Sequence, residues 1–178
     1  VKVTRDLTER RNHELRIEQF YQDIQKKNEL LRQSEERYHR MVAEVEDYVI
    51  ILLDQQGYIQ NWNKGAEKIK GYSPDEIIGK HFSIFYSEED RSKGLPKTLL
   101  QQAITSGKAV HEGWRQRKNG SFFWGSVVMT ALHNDNGELI GITKVTRDLT
   151  EKKIFEEKLL ATSQTLVEKN KELERINE

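Results

Sequence analysis

The side chains that most often do chemistry are few in this sequence. It has no cysteine, so disulfides, thiolate nucleophiles and thiolate metal sites are excluded together. Its 5 histidines share no metal-ligand spacing; they are His13, His39, His81, His111 and His133. We find no pairing of a nucleophile with a base and no phosphate-cradling loop. The sequence therefore predicts no catalytic residue and no metal site, and we expect this chain not to be an enzyme.

Charge and hydropathy narrow the choice of partners. The 29 basic residues equal the 29 acidic ones, so no net field draws the chain to nucleic acid or to an anionic bilayer. The longest apolar run, Val49 to Leu53, is far shorter than the roughly 20 residues that cross a membrane. We expect no nucleic-acid partner and no direct membrane contact.

The middle of the chain carries the pattern of an antiparallel sheet. The run "DYVIILLD" ends at the turn signal "DQQG", and "YIQNW" resumes as a short second strand. Three further strands follow within "KAVHEGWRQR", "SFFWGSVVMTAL" and "ELIGITKVTRD". Hairpin turns at Asn119-Gly120 and Asn136-Gly137 separate them. The sequence predicts a five-stranded antiparallel sheet.

Helices are predicted between the second and third strands. Ser73, Pro74 and Glu76 form a helix start with a capping box, and an amphipathic helix surrounds Leu99 and Ile104. Helices gathered on one face of the sheet give an α+β domain of about a hundred residues, enough to close one core.

Strand alternation indicates which side chains of the sheet face the helices and would line a pocket between the two layers. On the middle strand, strand alternation leaves two sets open: Phe122, Trp124 and Val128, or Phe123, Val127 and Met129. The candidate pocket residues are Ile51, Leu53, Trp62, Phe82, Leu100, Trp114, Trp124, Val128 and Ile142. Both faces of "SFFWGSVVMTAL" are apolar, so we expect the outer face to be covered, for example by the N-terminal helix near Tyr38, Met41 and Val42, either from this chain or from a second copy.

Long helices are predicted at both ends. A seven-residue step links Ile17, Ile24, Leu31 and Tyr38. An alternating four-three spacing includes Leu159, Leu166 and Leu173. Both patterns favour coiled coils that form a homodimer, although a solvated helix lying on its own domain fits them as well.

The phrase "KVTRDLTE" occurs twice, from Lys2 to Glu9 and from Lys144 to Glu151. A repeat of this length indicates that a structural unit is itself repeated along the chain. At the second copy, Asp148 is predicted to cap the following helix, with Glu151 reaching back. Asp148, Thr150 and Glu151 are therefore the predicted exit, where a shift of the last strand moves the coil.

The block "WNKGAEKIKGYSPDEIIGK", from Trp62 to Lys80, resembles the signature of PAS domains. "GWRQRKNGSFFW" and "ITKVTRDLTEKK" resemble the last three strands and exit of that family. The resemblance implies a cytoplasmic sensory module of a tandem-PAS bacterial signalling protein, such as a sensor histidine kinase of a two-component system or a diguanylate cyclase. It makes Asn63 a helix cap, and it implies adjacent PAS or effector domains as partners.

We divide the chain accordingly. Residues 1–8 are the exit segment of a preceding PAS repeat, and residues 9–45 are a coiled-coil linker helix. Residues 46–149 are the PAS domain, and residues 150–178 are a coiled-coil signalling helix.

The resemblance leaves the cofactor open. A cysteinyl-flavin adduct is excluded because there is no thiol. Haem is disfavoured because Ser87 to Gly107 holds no histidine, whereas a non-covalent flavin or another small molecule fits the aromatic content. "HELR" at His13 resembles the histidine-kinase phosphoacceptor box but lacks its continuation, so we interpret His13 as a surface residue. The alternative to a sensor is a ligand-free dimerisation spacer.

Overall fold

A computed structural model describes residues 2–176, with side chains placed for residues 10–171 and 175. The chain divides between Val42 and Ala43 into two units, which we describe separately. The helices are α1 (Lys2–Ala43), α2 (Lys64–Lys70), α3 (Pro74–Ile77), α4 (Glu88–Ser92), α5 (Leu95–Ser106) and α6 (Thr150–Ile176), with a 3₁₀ helix at Phe82–Phe85. The strands are β1 (Tyr48–Leu53), β2 (Lys108–Gln116), β3 (Phe122–His133) and β4 (Leu139–Asp148).

The first unit is a single helix with no apolar cover. Every described side chain from residue 10 to residue 41 is exposed, including Ile17, Ile24, Leu31 and Tyr38. Charged side chains pair along the helix, for example Arg32 with Glu29 at 2.7 Å and with Glu36 at 2.5 Å. Such exposed pairs stabilise a helix only slightly. Within the first unit, no described side chain covers the apolar stripe formed by Ile17, Ile24, Leu31 and Tyr38.

The second unit is an α+β fold, as predicted. Its sheet has four strands in the order β1-β4-β3-β2, and every neighbouring pair is antiparallel. The β2–β3 and β3–β4 hairpins turn at Gly120 and Gly137, whose φ angles are +84° and +78°. These left-handed conformations are the reason the turns need glycine.

The fifth strand was predicted at "YIQNW" and does not form. The Gln60 backbone N–H donates to the Leu52 carbonyl at 2.8 Å. Other hydrogen bonds from the N–H groups of β1 go to side-chain oxygens instead of backbone carbonyls. The amide oxygen of Asn61 accepts from Leu52 N at 2.6 Å, and that of Asn63 accepts from Ile50 N at 3.0 Å. Because asparagine side chains compete with the backbone for these bonds, only isolated bridges remain, such as Leu53 with Ile59.

The helices α2 to α5 pack on one face of the sheet, which we call the inner face. The capping box predicted at Ser73 and Glu76 is present. Core side chains on this face come from all four strands and from the helices; among them are Val49, Ile51, Leu53, Ile77, Phe82, Phe85, Leu99, Ala103, Ala109 and Ile142. No helix in the described part of the chain is long and apolar enough to span a membrane.

The structure also decides the open register of β3. Phe123, Val127 and Met129 are buried on the inner face, whereas Phe122 is 45% exposed on the opposite, outer face. From Phe122 to Met129, buried residues of the strand alternate with more exposed ones. One residue of register sends every side chain of a strand to the other side of a sheet, and sequence alternation alone does not fix it when both sets are apolar.

Candidate functional site

The inner face of the sheet contains basic side chains that are fully buried. Lys144 of β4 and Arg115 of β2 each have 0% exposure, and so does Lys70 at the end of α2. Lys144 lies in a cross-strand row with Ile51, Met129 and Ala109. Lysine and arginine are rarely buried completely unless they are paired. This group, which we call the cation cluster, is therefore the most unusual feature of the domain.

Aromatic rings surround the cation cluster. The Lys70 Nζ lies 3.8 Å from the centroid of the Phe85 ring and 5.0 Å from that of Phe123. The Arg115 guanidinium carbon lies 4.2 Å from the centroid of Tyr86. Cation–π contacts of this kind stabilise a desolvated cation by roughly 2 kcal/mol, which is less than burial of an unpaired charge costs.

Several polar atoms of the cluster lack hydrogen-bond partners among the described residues: Lys70 Nζ, Arg115 Nε and the Tyr86 hydroxyl. Lys144 donates to the Thr146 hydroxyl at 3.1 Å. Arg115 bonds to its own strand through the Trp114 carbonyl at 2.7 Å. Buried polar groups are nearly always satisfied in folded proteins, so each exception asks for an explanation.

Burial shifts the ionisation of these groups. Burial, and after it repulsion from the neighbouring Arg115, lowers the pKa of Lys144 to about 7. The pKa of Lys70 falls well below its ordinary value because of burial and of repulsion from Lys144, Arg115 and Arg117. Burial raises the pKa of Tyr86 to about 12 against the opposing effect of Arg115. Perturbed ionisation of this kind marks candidate functional sites.

Two glycines make room for Arg115. Gly113 of β2 and Gly125 of β3 face each other in register. A Cβ on Gly125 would lie 3.1 Å from Arg115 Cγ, and a Cβ on Gly113 would lie 3.2 Å from Arg115 Nη1. Side chains at these positions would crowd the guanidinium, so the glycine pair is what allows it to lie flat on the sheet.

A solvent cleft reaches the cluster beside Lys70. Its volume is about 640 Å³, and its lining includes Lys68, Lys70, Arg117 and Lys118. The remaining described lining residues are uncharged; they are Ile69, Gly71, Asn119 and Ser121. A second cleft of about 560 Å³ runs along β2 past His111 and Gly113. Burial, and after it Arg115, lowers the pKa of His111.

The predicted pocket residues divide between the two faces. Ile51, Leu53, Phe82 and Ile142 are fully buried in the core, and Trp62 and Leu100 are half-buried against it. Trp114, Trp124 and Val128 lie on the outer face, because they occupy the positions of β2 and β3 that alternate with the buried ones. Their prediction as inner-pocket residues is therefore wrong. Trp62 donates to the Tyr72 carbonyl at 2.8 Å and stacks on Phe85 with ring centroids 5.8 Å apart.

The junction of β4 and α6 is fastened by polar contacts, and we call it the exit joint. The Asp148 carboxylate accepts from Thr150 N at 2.9 Å and from the Thr150 hydroxyl at 2.5 Å. The Thr150 hydroxyl oxygen accepts from Trp124 N at 2.9 Å. Arg117 donates to Asp148 at 2.6 Å and to the Ile69 carbonyl. The joint therefore ties α6 to β3, β4 and α2.

The exit prediction needs one correction. Helix α6 begins at Thr150, and it is Thr150 that bonds to Asp148. Glu151 is exposed, and the hydrogen bonds of the described residues include none from it to Asp148. Burial alone would raise the pKa of Asp148, but the bonds from Thr150 and Arg117 outweigh it and hold that pKa below its usual value.

Asn63 caps α2, as predicted, and does more. Its amide oxygen accepts from Ala66 N at 3.0 Å, and its amide nitrogen donates to the carbonyls of Val45 at 2.8 Å and Tyr48 at 2.9 Å. Asn63 is 3% exposed, and its hydrogen bonds connect the segment before β1, the start of β1 and the first turn of α2. This role is structural, which agrees with our interpretation of the sequence.

Sequence reasoning missed the cation cluster. Its signals were present: two glycines interrupt strands at Gly113 and Gly125, which often indicates close approach of another group. A lysine stands between β-branched residues in "ITKVT". Lys70 carries no comparable signal, because a lysine at the end of a short helix is ordinary. The described residues bring together no group of three or more His, Cys, Asp or Glu side chains able to hold a metal ion.

Comparison with known proteins identifies the fold family. Residues 46–151 match the family of PAS domains. The chain is 47% identical over 126 residues to two-component system protein A of Emericella nidulans, covering 71% of this chain and 18% of that protein. It is 22% identical over 142 residues to sporulation kinase C of Bacillus subtilis, covering 80% and 32% of the two chains. The chain thus spans less than a third of either relative.

A solved structure agrees with this assignment. The crystal structure of a PAS domain from Colwellia psychrerythraea superposes with a TM-score of 0.59 at 24% identity, covering 65% of this chain and 97% of that one. At this identity the likeness concerns the fold. Fold and sequence match therefore agree: the chain belongs to the PAS domain family, and its relatives are proteins of two-component and kinase signalling.

Proposed function

We propose that this chain is a sensory and relay module that dimerises through its flanking helices and transmits a pocket or upstream signal to a downstream effector. The observation that carries the proposal is the exit joint, in which the Asp148 carboxylate and the Thr150 hydroxyl bind the end of the sheet to the first turn of α6. A displacement of β3 or β4 reaches α6 through these bonds, because no flexible linker separates them.

The apolar stripes of the two long helices support dimerisation. Leu159 and Leu166 are 61% and 57% exposed within one chain, and Ile17 and Ile24 are 45% and 44% exposed. The side chain of Leu173 lies outside the described residues. Exposed apolar side chains at a seven-residue repeat are the pattern that a partner helix covers. A homodimer in which like helices pair is the simplest arrangement.

The outer face of the sheet supplies a second part of the interface. Ile50, Val145, Val128 and Val110 form a row across all four strands, and Val110 is 56% exposed. Helix α6 starts beside this face, since Lys153 Nζ lies 4.9 Å from the centroid of the Trp124 ring. A dimer through α6 brings a second copy next to this surface, so we assign the cover of the outer face to the second copy. Cover by the N-terminal helix near Tyr38, Met41 and Val42, from this chain or from a second copy, stays a prediction.

The identity of the partners rests on the relatives. One is called a two-component system protein and another a sporulation kinase, and this chain spans only part of each. We infer that the effector is a kinase-type output domain, that the first "KVTRDLTE" closes a preceding PAS domain, and that the protein works in the cytoplasm. The boundaries 1–8, 9–45, 46–149 and 150–178 belong to the same proposal.

Cysteine cross-linking tests the dimer directly, because the chain contains no native cysteine. Leu159→Cys and Leu166→Cys lie on the predicted seam, and Gln164→Cys lies on the opposite side of α6 as a matched control. We expect rapid disulfide dimers from the first two and slow ones from the control. Equal rates for all three, or a monomer in light scattering at high concentration, would contradict the proposal.

Relay through the exit joint has a separate test. Thr150→Val removes the acceptor of the Trp124 amide, whereas Thr165→Val removes a hydroxyl that bonds only to Ala161 in its own helix. We expect Thr150→Val to change the cross-linking rate of Leu166→Cys and Thr165→Val to leave it unchanged. A ligand-free spacer, the alternative function, predicts that native mass spectrometry finds no bound small molecule and that neither substitution matters.

A further inference from the structure

Among the described residues, no carboxylate forms an ion pair with Lys70, Arg115 or Lys144; the ion pairs around them are made by other basic residues. The carboxylate that acts on Lys70, Asp148, already accepts from Arg117 and Thr150. The ion pairs near the cleft use Glu46 and Glu76, which bind Lys68 and Lys118. Burying a charge is strongly unfavourable without a partner, and an anion bound between these side chains would be such a partner.

We propose that the inner face of this domain binds a small organic oxyanion, a carboxylate or a phosphate, held by Lys70, Arg115 and Lys144. This inference rests on the proposed sensory function and names the chemical class of its ligand. Within the described part of the chain, the Arg115 Nε–H and the Tyr86 O–H have no acceptor, and Lys70 Nζ, which also has no hydrogen-bond partner there, adds further donors. Oxyanions with several lone pairs satisfy such converging donors.

The cleft beside Lys70 gives the anion a route. Four basic residues line it, and the other described lining residues are uncharged. Clefts lined by one sign of charge attract ligands of the opposite sign. Lys70 lies at the inner end of this route, because it lines the cleft and also contacts Phe85 in the core.

The site also connects to the exit joint. Lys70 follows Ile69, whose carbonyl accepts from Arg117, and Arg117 binds the Asp148 carboxylate. The Lys118 N–H donates to the Lys70 carbonyl at 2.9 Å. An anion that draws Lys70 toward Arg115 therefore pulls on the same contacts that position α6.

Binding should be linked to proton uptake. In the free protein Lys144, with a pKa of about 7, is partly neutral at neutral pH, and an anion favours its charged form. Arg115 on β2 and Lys70 on α2 repel Lys144, whose Nζ lies 6.0 Å from the centroid of the Tyr86 ring. Around this group, Asp148 on β4 acts on Lys70, and Asp90 on α4 acts on Tyr86 and on His111 of β2. Because Lys144 and Lys70 gain protons as pH falls, the anion binds more tightly at about pH 6 than at about pH 8.5.

Thermal unfolding of the 178-residue chain in inorganic phosphate or in succinate tests the proposal, with potassium chloride at equal ionic strength as the reference. At about ten times the dissociation constant we expect at least one anion to raise Tm by roughly 5 °C. Calorimetry in buffers of different ionisation enthalpy should show net proton uptake. The two anions distinguish a phosphate ligand from a carboxylate ligand.

Variants assign the effect to the cluster. Lys144→Met and Lys70→Met keep the side-chain volume and should weaken binding roughly thirtyfold or more. Tyr86→Phe removes only a hydroxyl, so it should weaken binding several-fold. Lys97→Met, an exposed lysine on α5, should leave binding unchanged. Failure of both anions to raise Tm, or equal responses of Lys144→Met and Lys97→Met, would overturn the proposal.

The outcome is separable from that of the proposed function. If anions bind but the cross-linking rates of α6 do not change, the ligand site stands and the relay fails. If the coil cross-links as expected and no anion binds, the relay stands and the oxyanion site is wrong.

Discussion

Each face of the sheet contains one row of residues that departs from the usual division of polar and apolar side chains. On the inner face, the row Ile51–Lys144–Met129–Ala109 buries a lysine completely. One residue away, the outer row Ile50–Val145–Val128–Val110 is entirely apolar and ends at Val110, which is 56% exposed. Solvent-facing sides of antiparallel sheets are normally polar and buried sides apolar.

On both faces, some side chains of the described residues lack a matching partner: the buried polar atoms of the inner face and the exposed valine of the outer face. An unpaired buried cation calls for an anion, and an exposed apolar row calls for a protein surface. Under the two proposals made above, the inner face binds a ligand and the outer face binds a second subunit.

The largest effect separates two neighbouring phenylalanines. Phe123→Ala should lower the free energy of unfolding by about 3–5 kcal/mol, because the ring is fully buried on the inner face. Phe122→Ala, whose ring is 45% exposed on the outer face, should lower it by about 1 kcal/mol or less. Urea denaturation of both variants gives the comparison, and equal losses would mean that the two faces are not distinct.

The second effect has the opposite sign. Lys144→Met should raise the free energy of unfolding by about 1–4 kcal/mol at neutral pH, because an unpaired buried amine is replaced by an apolar chain of similar size. The folded pKa of about 7 lies below the ordinary 10.5, so between these values the unfolded chain holds more protons. Stability of the parent protein must therefore rise with pH over that interval.

Lys144→Met should also flatten the rise of the free energy of unfolding with pH. Lys97→Met serves as the control, since an exposed lysine should change stability by no more than about 0.5 kcal/mol and leave the pH dependence intact. Urea titrations at several pH values measure both. A loss of stability in Lys144→Met at neutral pH would show that the amine has a favourable partner after all.

A paired charge on the same face should behave differently from the unpaired one. Asp148→Asn removes the ion pair with Arg117; the side chains of Asp148 and Arg117 are 26% and 25% exposed. We expect the free energy of unfolding to fall by about 1 kcal/mol. The folded pKa is depressed below 3.8. The stabilisation is thus complete above that value and disappears as pH falls through the lower folded pKa. Parent and variant should converge in acid; a constant gap at all pH values would argue against the ion pair.

The smallest effect on folding belongs to the outer face. Val110→Thr changes an exposed position, so the free energy of unfolding should move by only about 0.5 kcal/mol. Its dimer should nevertheless dissociate several-fold more readily, because the hydroxyl enters the proposed interface. Sedimentation equilibrium measures the dissociation constant, and Lys108→Gln on the same strand is the control. An unchanged constant for Val110→Thr would remove the outer face from the interface.

Much of the fold was readable from the sequence because local chemistry dictated it. The capping box at Ser73, the Asn63 cap and the glycine turns at Gly120 and Gly137 all form as predicted. The strand at "YIQNW" was wrong because Asn61 and Asn63 take over the hydrogen bonds of β1 with their side chains. That competition depends on where β1 lies, which local sequence does not specify.

The candidate site was less predictable. Ile51, Leu53, Phe82 and Ile142 were placed in the core by their apolar character, whereas Trp114, Trp124 and Val128 were placed on the wrong face because one residue of register reverses the choice. Lys70, Arg115 and Lys144 come from three elements distant in sequence. Only the assembled sheet brings them together.

The repeated phrase shows the same limit. In its first copy, "KVTRDLTE" lies within α1, and in its second copy it ends β4 and begins α6. The sequence by itself determined the α+β class, the turns, the caps and the seven-residue stripes, because these depend on neighbours along the chain. Tertiary structure alone decided the strand register, the loss of the fifth strand and the burial of three cations on one face, because cross-strand hydrogen bonds and packing outweigh local propensity.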